Sequence, residues 1–307
     1  VNTKTVISGI LLLDKSQGIS SHSALAKAKF LFKSDSQDSK KAGHTGTLDP
    51  MATGLLPLVF GEATKFAQYG LDADKGYTAT IRLGVATDSG DADGQAIDHQ
   101  AVPSFDQAML DAIADAMTGA QSQIPPMYSA LKKDGKKLYE YARDGIEIER
   151  APRAITIHHL SLTKLGDDVI SLDVICSKGT YVRVLGEDIA KRLGTVGHLT
   201  RLHRTMTGDF GVDDAITTDA LDALPMSERL GRLLPIDAML THLPTLMVSD
   251  DEAARLKLGQ RLNVKDRALS LAAFDETCLV RLYQGDEFIG LGEVASTGRL
   301  QPKKLVA

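Results

Sequence analysis

The chain has 307 residues, 43 % of them hydrophobic and 24 % charged, with a formal net charge of −5 and a pI near 5.9. This is the balance of an ordinary soluble globule large enough for two domains, and it argues against a uniformly basic polyanion binder. The two cysteines, Cys176 and Cys278, form no Cys-x-x-Cys pair, so neither a disulfide framework nor a zinc ribbon is expected.

The apolar run "VISGILLLD" (6–14) ends in an acid without a small-residue cleavage pattern, so it reads as a buried strand rather than a signal peptide. No stretch approaches the roughly 20 apolar residues of a membrane span, and a cytoplasmic location is expected. Residues 22–33 read as a helix. In 42–58, "AGHTGTLDPMATGLLPL", Asp49 is the only carboxylate among small, hydroxylated and apolar residues, followed by proline and flanked by glycines. Either its side chain bonds nearby backbone amides, or the loop presents it for chemistry. "GYTATIRLG" (76–84) alternates as a half-buried strand with Tyr77, Ala79, Ile81 and Leu83 inward.

"DSGDADGQAID" (88–98) misses the calcium-loop pattern at its first and last positions and reads as an acidic surface turn. Ser104 and Gln107 suggest a capping box for a helix over 105–118 that Gly119 stops. In 124–153, Lys132, Lys133, Lys136, Lys137 and Arg143 interleave with Tyr128, Tyr139 and Tyr141. That pattern fits phosphate neutralisation with base stacking, and equally a solvated helix whose tyrosines pack inward.

Residues 155–164 and 168–177 predict two strands joined at Gly166-Asp167-Asp168. Cys176 falls on the apolar side of the second. A helix then begins with Tyr181 and Arg183 in its first turn. Residues 178–204 carry six basic side chains against Glu187 and Asp188, whereas 205–255 are strongly acidic, so a basic face can coexist with an acidic total. Pro225, Pro235 and Pro244 mark a connection to a small β-rich tail with one short helix. No histidine spacing fits a metal, and neither a dinucleotide nor a Walker motif occurs, so no metal and no cofactor are expected.

Asp49 in apolar company needs a cation to stay ionised, and Arg183 offers one with a fork that matches a carboxylate. Tyr77 adds an aromatic face at a strand end. Nucleophile, orienting cation and stacking platform make one coherent site.

These segments resemble a known family. "GHTGTLDPMATGLLPLVFGEATKF" is similar to the catalytic segment of the TruB-type tRNA pseudouridine synthases, and "LLLDKSQGISS" to their first motif. "DKGYTATIRLG" resembles the tyrosine motif and "SKGTYVRVLGEDI" the arginine motif. "IPPMYSALKKDGKKLYEYAR" matches the insertion of this branch, and "FIGLGEV" with "LQPKKLV" resembles a PUA domain. His22 stands where many relatives have Asn.

The resemblance implies an α+β fold with a mixed, largely antiparallel sheet. It places a catalytic domain in 1–247, with an RNA-binding insertion at about 124–153, and a PUA-like β domain in 248–307. It implies isomerisation of uridine to pseudouridine in the tRNA T loop, position 55, without a cofactor, and a monomer is expected because nothing in the sequence suggests a dimer surface. Asp49 is then the nucleophile, acting at base C6 or at ribose C1′. Arg183 is its partner, and Tyr77 stacks on the flipped base. Tyr181 contacts the pair or the base, Leu202 lines the apolar wall, and His44 enters the T loop as bases leave it. Lys15, Lys65, Lys132, Lys133 and Lys136 are candidates for phosphate or loop contacts. A tRNA-binding chaperone that has lost catalysis and a hydrolase or transferase using an aspartyl intermediate are the competing expectations.

Overall fold

The computed structural model describes residues 4–265 and 277–306. Strand β1 (Gly9–Lys15) continues directly into the site. It is nearly all buried, and its residues pair antiparallel with β3 (Thr53–Phe60), from Gly9 opposite Phe60 to Lys15 opposite Gly54. The single strand expected over 6–14 is broken, because Gly9 takes φ +150° where its Cα approaches the Leu234 carbonyl. Between β1 and β3 lie helix α1 (Ser21–Leu31) and β2 (Ala42–His44), which pairs with β3. Ser20 caps α1 by accepting from the Ser23 amide, and Ala24, Leu25, Ala28 and Leu31 face the core. Phe32 and Phe60 close that face with ring centroids 5.2 Å apart.

The long strands carry the predicted alternation. β4 (Lys75–Leu83) buries Ala79, Ile81 and Leu83 and exposes Arg82. Helix α2 (Gln107–Met117) follows; its cap is Asp106, whose carboxylate accepts from the Met109 amide, and not Ser104. Gln107 instead reaches across to donate to the Leu162 carbonyl, fixing α2 to the sheet. β5 (Gly119–Gln123), β6 (Arg153–Lys164) and β7 (Val169–Cys176) complete this half antiparallel, and the Cys176 thiol is buried. Helix α3 (Val182–Arg192) packs on β8 (Gly197–Thr207).

In the ten-stranded sheet the order is β1-β3-β8-β4-β7-β6-β5, with the short strand Ile216–Thr217 beside β1. The architecture is mixed α+β with largely antiparallel pairing. β3 and β8 pair in parallel over only two positions, His203 with Thr53 and Arg204 with Gly54. The two halves of the sheet therefore meet at a short seam just after the loop that carries Asp49. Gly54 sits there at φ +99°, and a Cβ would lie 2.3 Å from the Arg204 carbonyl oxygen, so only glycine fits.

The tail forms a second sheet, β9 (Thr245–Val248), β10 (Leu262–Asn263), β11 (Cys278–Gln284), β12 (Glu287–Val294) and β13 (Arg299–Leu305), in the order β9-β11-β12-β13-β10. It has its own core around Val280, Leu282, Val294 and Leu300, covered by the helix Asp250–Lys257. Residues 225–245 are not a slack connection. Asp237 there is buried and accepts from Arg281 (3.0 Å) and from the Tyr283 hydroxyl. Phe66 stacks edge-on to Phe288, and Lys65 donates to the Leu305 carbonyl (2.8 Å) while Lys304 donates to that of Lys65 (2.6 Å). Among the described residues no helix is long and apolar enough to cross a membrane.

Candidate active site

The loop between β2 and β3 is anchored from below. Ser21, buried at the start of α1, donates to the Leu48 carbonyl (3.0 Å) and accepts from the Leu48 amide (2.7 Å). The Pro50 carbonyl accepts from the Gly18 amide (2.8 Å), and the Ala52 amide turns back onto the Asp49 carbonyl (3.1 Å). Leu48, Met51 and Ala52 point into the core. Asp49 is the residue this packing pushes out, with a third of its side chain exposed.

Arg183, in the first turn of α3, meets it there. Its Nε lies 2.9 Å from Asp49 Oδ2 and 3.5 Å from Asp91 Oδ2, and its side chain is 4 % exposed. The two-pronged fork expected on Asp49 is not formed. Nη1 donates to the Ser89 carbonyl and Nη2 to the Tyr128 carbonyl (2.6 Å), so the guanidinium is shared by four groups from three segments. That sharing fixes its plane and aims one N–H at Asp49.

Asp91 corrects the expectation of an acidic surface turn over 88–98. It is buried, accepts from the Ser89 hydroxyl and the Asp93 amide, and faces Arg183. Its effect is electrostatic. Burial pushes the Asp49 carboxyl above its ordinary range; Arg183 and Lys15 pull it back, while the Asp91 charge adds to the rise. Asp49 is thereby a more basic carboxylate than a solvated one, held ready by a partly occupied cation.

Tyr77 stands opposite Val174 and Arg204 in the sheet, half-buried, with its phenol pushed up chiefly by burial. Leu202, paired with Ala79, shares that face and is buried. Tyr181 caps α3, and its backbone exchanges two hydrogen bonds with the buried Gln123 side chain, at 2.8 and 3.1 Å. His44 is half-buried at the end of β2, and its imidazole pKa is lowered by burial and by the charges of Arg204 and His22. The structure thus brings Asp49 and Arg183 into contact and aligns Tyr77 with Leu202 on one sheet face.

The lysine candidates divide. Lys15 is wholly buried and donates to the carbonyls of Ser16, Ile19 and Pro50 at 3.0, 2.7 and 3.4 Å, so it cannot serve as a surface phosphate contact. Its pKa is lowered to about 8 by burial, against the Asp49 charge. It supports the loop from beneath. Lys65 is likewise engaged, by Glu62 and by the tail. Lys132 and Lys133 are exposed on a small hairpin with Lys136 and Lys137. Lys136 pairs with Asp144 and lies 4.7 Å from the Tyr141 ring centre. The Tyr128 hydroxyl donates to Asp88, which ties the insertion to the acidic turn.

Asp91 and Arg204 escaped the sequence reading. Arg204 had a signal: two residues after inward-facing Leu202, strand parity puts it inward as well. Among the described residues no group of three or more His, Cys, Asp or Glu side chains could hold a metal ion.

Two family models match stretches of the chain. Residues 34–182 match the N-terminal domain model of the TruB family of pseudouridylate synthases, and residues 244–306 match the C-terminal model of pseudouridine synthase II TruB. The chain is 50 % identical to a tRNA pseudouridine synthase B of Psychrobacter cryohalolentis, covering 99 % of this chain and 95 % of the relative. It is also 50 % identical to that of Aromatoleum aromaticum, over 99 % and 94 %. Among solved structures, a chain of a Cbf5-Nop10-Gar1 complex has a similar fold, with TM-score 0.70 at 22 % identity over 97 % of this chain and 85 % of that one. An archaeal box H/ACA Nop10-Cbf5 complex gives TM-score 0.69 at 21 % identity, over 97 % and 86 %.

Proposed function

The chain belongs to the TruB family of pseudouridylate synthases, and we propose that it converts uridine to pseudouridine in the T loop of tRNA, with Asp49 as nucleophile. The observation that carries this reading is the Asp49–Arg183 pair: one partly exposed carboxylate of raised basicity on a buried, immobile guanidinium. Residues 1–247 supply the catalytic unit and 248–307 a PUA-like RNA-binding unit. The enzyme acts as a cytoplasmic monomer.

The reaction breaks the N1–C1′ bond of uridine, turns the base in place and joins C5 to C1′. The C5 proton leaves, N1 is protonated, and no atom is gained. Asp49 attacks either C6 of the base or assists at C1′, and in both routes it must be ionised and aimed. Arg183 does both. Tyr77 packs against the base and is placed to take part in removing the C5 proton, Leu202 closes the apolar side, and Tyr181 borders the pair.

A uridine inside a folded loop is out of reach of Asp49, so the base is flipped out at a cost of a few kcal/mol. Half-buried His44, held neutral, is suited to fill the space left behind. Exposed Lys132, Lys133 and Lys136 supply phosphate contacts that offset the cost.

The test uses a tRNA transcript tritiated at uridine C5, whose label is released to water when C5 bonds to C1′. Release by the wild type and none by Asp49→Ala is expected. No release by the wild type, with tight tRNA binding, would refute the enzymatic reading in favour of an RNA chaperone.

A further inference from the structure

Arg204 has no part in the chemistry described above, yet it is almost completely enclosed beside it, 1 % exposed. Two of its donors go to main-chain carbonyls, and a further side-chain hydrogen bond joins it to Tyr77. Nε donates to Leu55 (2.6 Å) and Nη2 to Gly46 (3.2 Å). Gly46 and Leu55 are the two shoulders of the loop that presents Asp49.

The backbone of Arg204 makes the same bracket. It pairs in parallel with Gly54 on the exit side of the loop and antiparallel with Tyr77 on the other. The approach is close on both sides. A Cβ on Gly54 would collide with the Arg204 backbone, and one on Gly46 would lie 3.4 Å from Nη1. Antiparallel partners project to the same face of a sheet, so the guanidinium and the Tyr77 ring share a side.

We propose that Arg204 is a positioning residue: one buried guanidinium that locks both shoulders of the Asp49 loop to the strand carrying Tyr77. Nucleophile and phenol are thereby held in fixed register on a single uridine. This rests on the function proposed above and adds to it the element that sets the spacing of its two reacting faces.

The type of side chain follows from the geometry. Two carbonyls from opposite shoulders need donors that diverge from one rigid plane, which a guanidinium has and an ammonium lacks. The charge also reaches the groups around it. Arg204 draws the Tyr77 phenol downward against burial and against the nearby Cys176 and Asp49, and it lowers the pKa values of Lys15, Lys75 and His44. Lys75 is itself buried on the carbonyls of Gly70, Leu71 and Ala73, so it is not free to replace Arg204.

The experiment measures single-turnover tritium release and tRNA affinity for wild type, Arg204→Lys, Tyr77→Phe and the double variant, with thermal unfolding as the check on folding. Arg204→Lys is expected to slow the chemical step by about 30-fold, the scale of a sub-ångström to 1 Å misplacement. Its tRNA dissociation constant should stay within about threefold, since the residue is buried beneath the site. In the Tyr77→Phe background the same change should cost less than about fivefold, because contacting groups are coupled.

A folded Arg204→Lys protein with a near-wild-type rate would overturn the proposal, as would full additivity with Tyr77→Phe. So would a protein that cannot fold with lysine there, since Arg204 would then be a requirement of the fold. Absence of release by the wild type would refute the proposed function itself, which separates the two failures.

Discussion

Two groups of cations lie within this protein, and they are held in opposite ways. Beneath the Asp49 loop, Lys15, Lys75, Arg183 and Arg204 are buried, and most of their donors are spent on main-chain carbonyls. In the insertion, Lys132, Lys133, Lys136 and Lys137 stay near water, Lys136 leaning on Tyr141 and Asp144 and Lys137 on Tyr139. A buried cation fixed by carbonyls is a permanent part of the local field, unscreened and unable to leave. An exposed pair is weak, salt-sensitive and easily exchanged for a phosphate. The first arrangement suits chemistry and the second suits capture, so substitutions in the two regions should separate rate from affinity.

The largest separation should come from Asp49→Asn. Pseudouridine formation is expected to fall by at least about 10⁴-fold, as when a lone nucleophile is removed. The tRNA dissociation constant, read by filter binding, should hardly move. Measurable turnover would break the comparison at its centre.

Arg183→Lys comes next, with an expected loss of about 10²–10³-fold in single-turnover rate, the scale for removing a fixed electrostatic donor. An ammonium cannot serve Asp49, Asp91, Ser89 and Tyr128 from one plane. A rate near wild type would show that the shared guanidinium has no catalytic role.

Asp91→Asn sharpens the electrostatic part. A loss of about tenfold or more is expected, because Arg183 loses a partner that fixes its plane. The pH profile should move as well. On the proposed role of Asp49 as an ionised nucleophile, activity falls as pH drops through its raised pKa; neutralising Asp91 removes one cause of that rise. The acidic limb of single-turnover rate against pH should therefore shift downward, and an upward or absent shift would contradict the coupling.

The smallest effect on chemistry belongs to the double variant Lys132→Ala with Lys133→Ala. Its tRNA affinity should weaken severalfold, and the slope of log affinity against log salt should shrink by about 1 to 2, as for two lost phosphate contacts. The rate at saturating tRNA should stay within about twofold. A rate loss at saturation would place these lysines with the buried group.

How much of this was legible depended on the kind of element. Strict alternation from Tyr77 to Leu83 assigned β4 and its inward face, because a strand's period of two is written in the chain itself. The hairpin of β6 and β7 followed from two apolar runs around a Gly-Asp-Asp turn, and α3 from its change of period after Gly179-Thr180. Asp49 stood out because a solitary carboxylate among apolar residues has a desolvation cost that only a partner offsets. Local periodicity, composition and the resemblance together reached the α+β fold and Asp49 with Arg183.

Tertiary structure alone decided where long or loop-borne side chains end. Asp91 turns inward because Arg183, distant in the chain, brings it a guanidinium. Lys15 sinks because the Ser16, Ile19 and Pro50 carbonyls converge on its ammonium, and Arg204 because both shoulders of the Asp49 loop converge on it. A loop has no period to reveal its facing, and a flexible cation goes to whichever buried acceptors remote segments leave open.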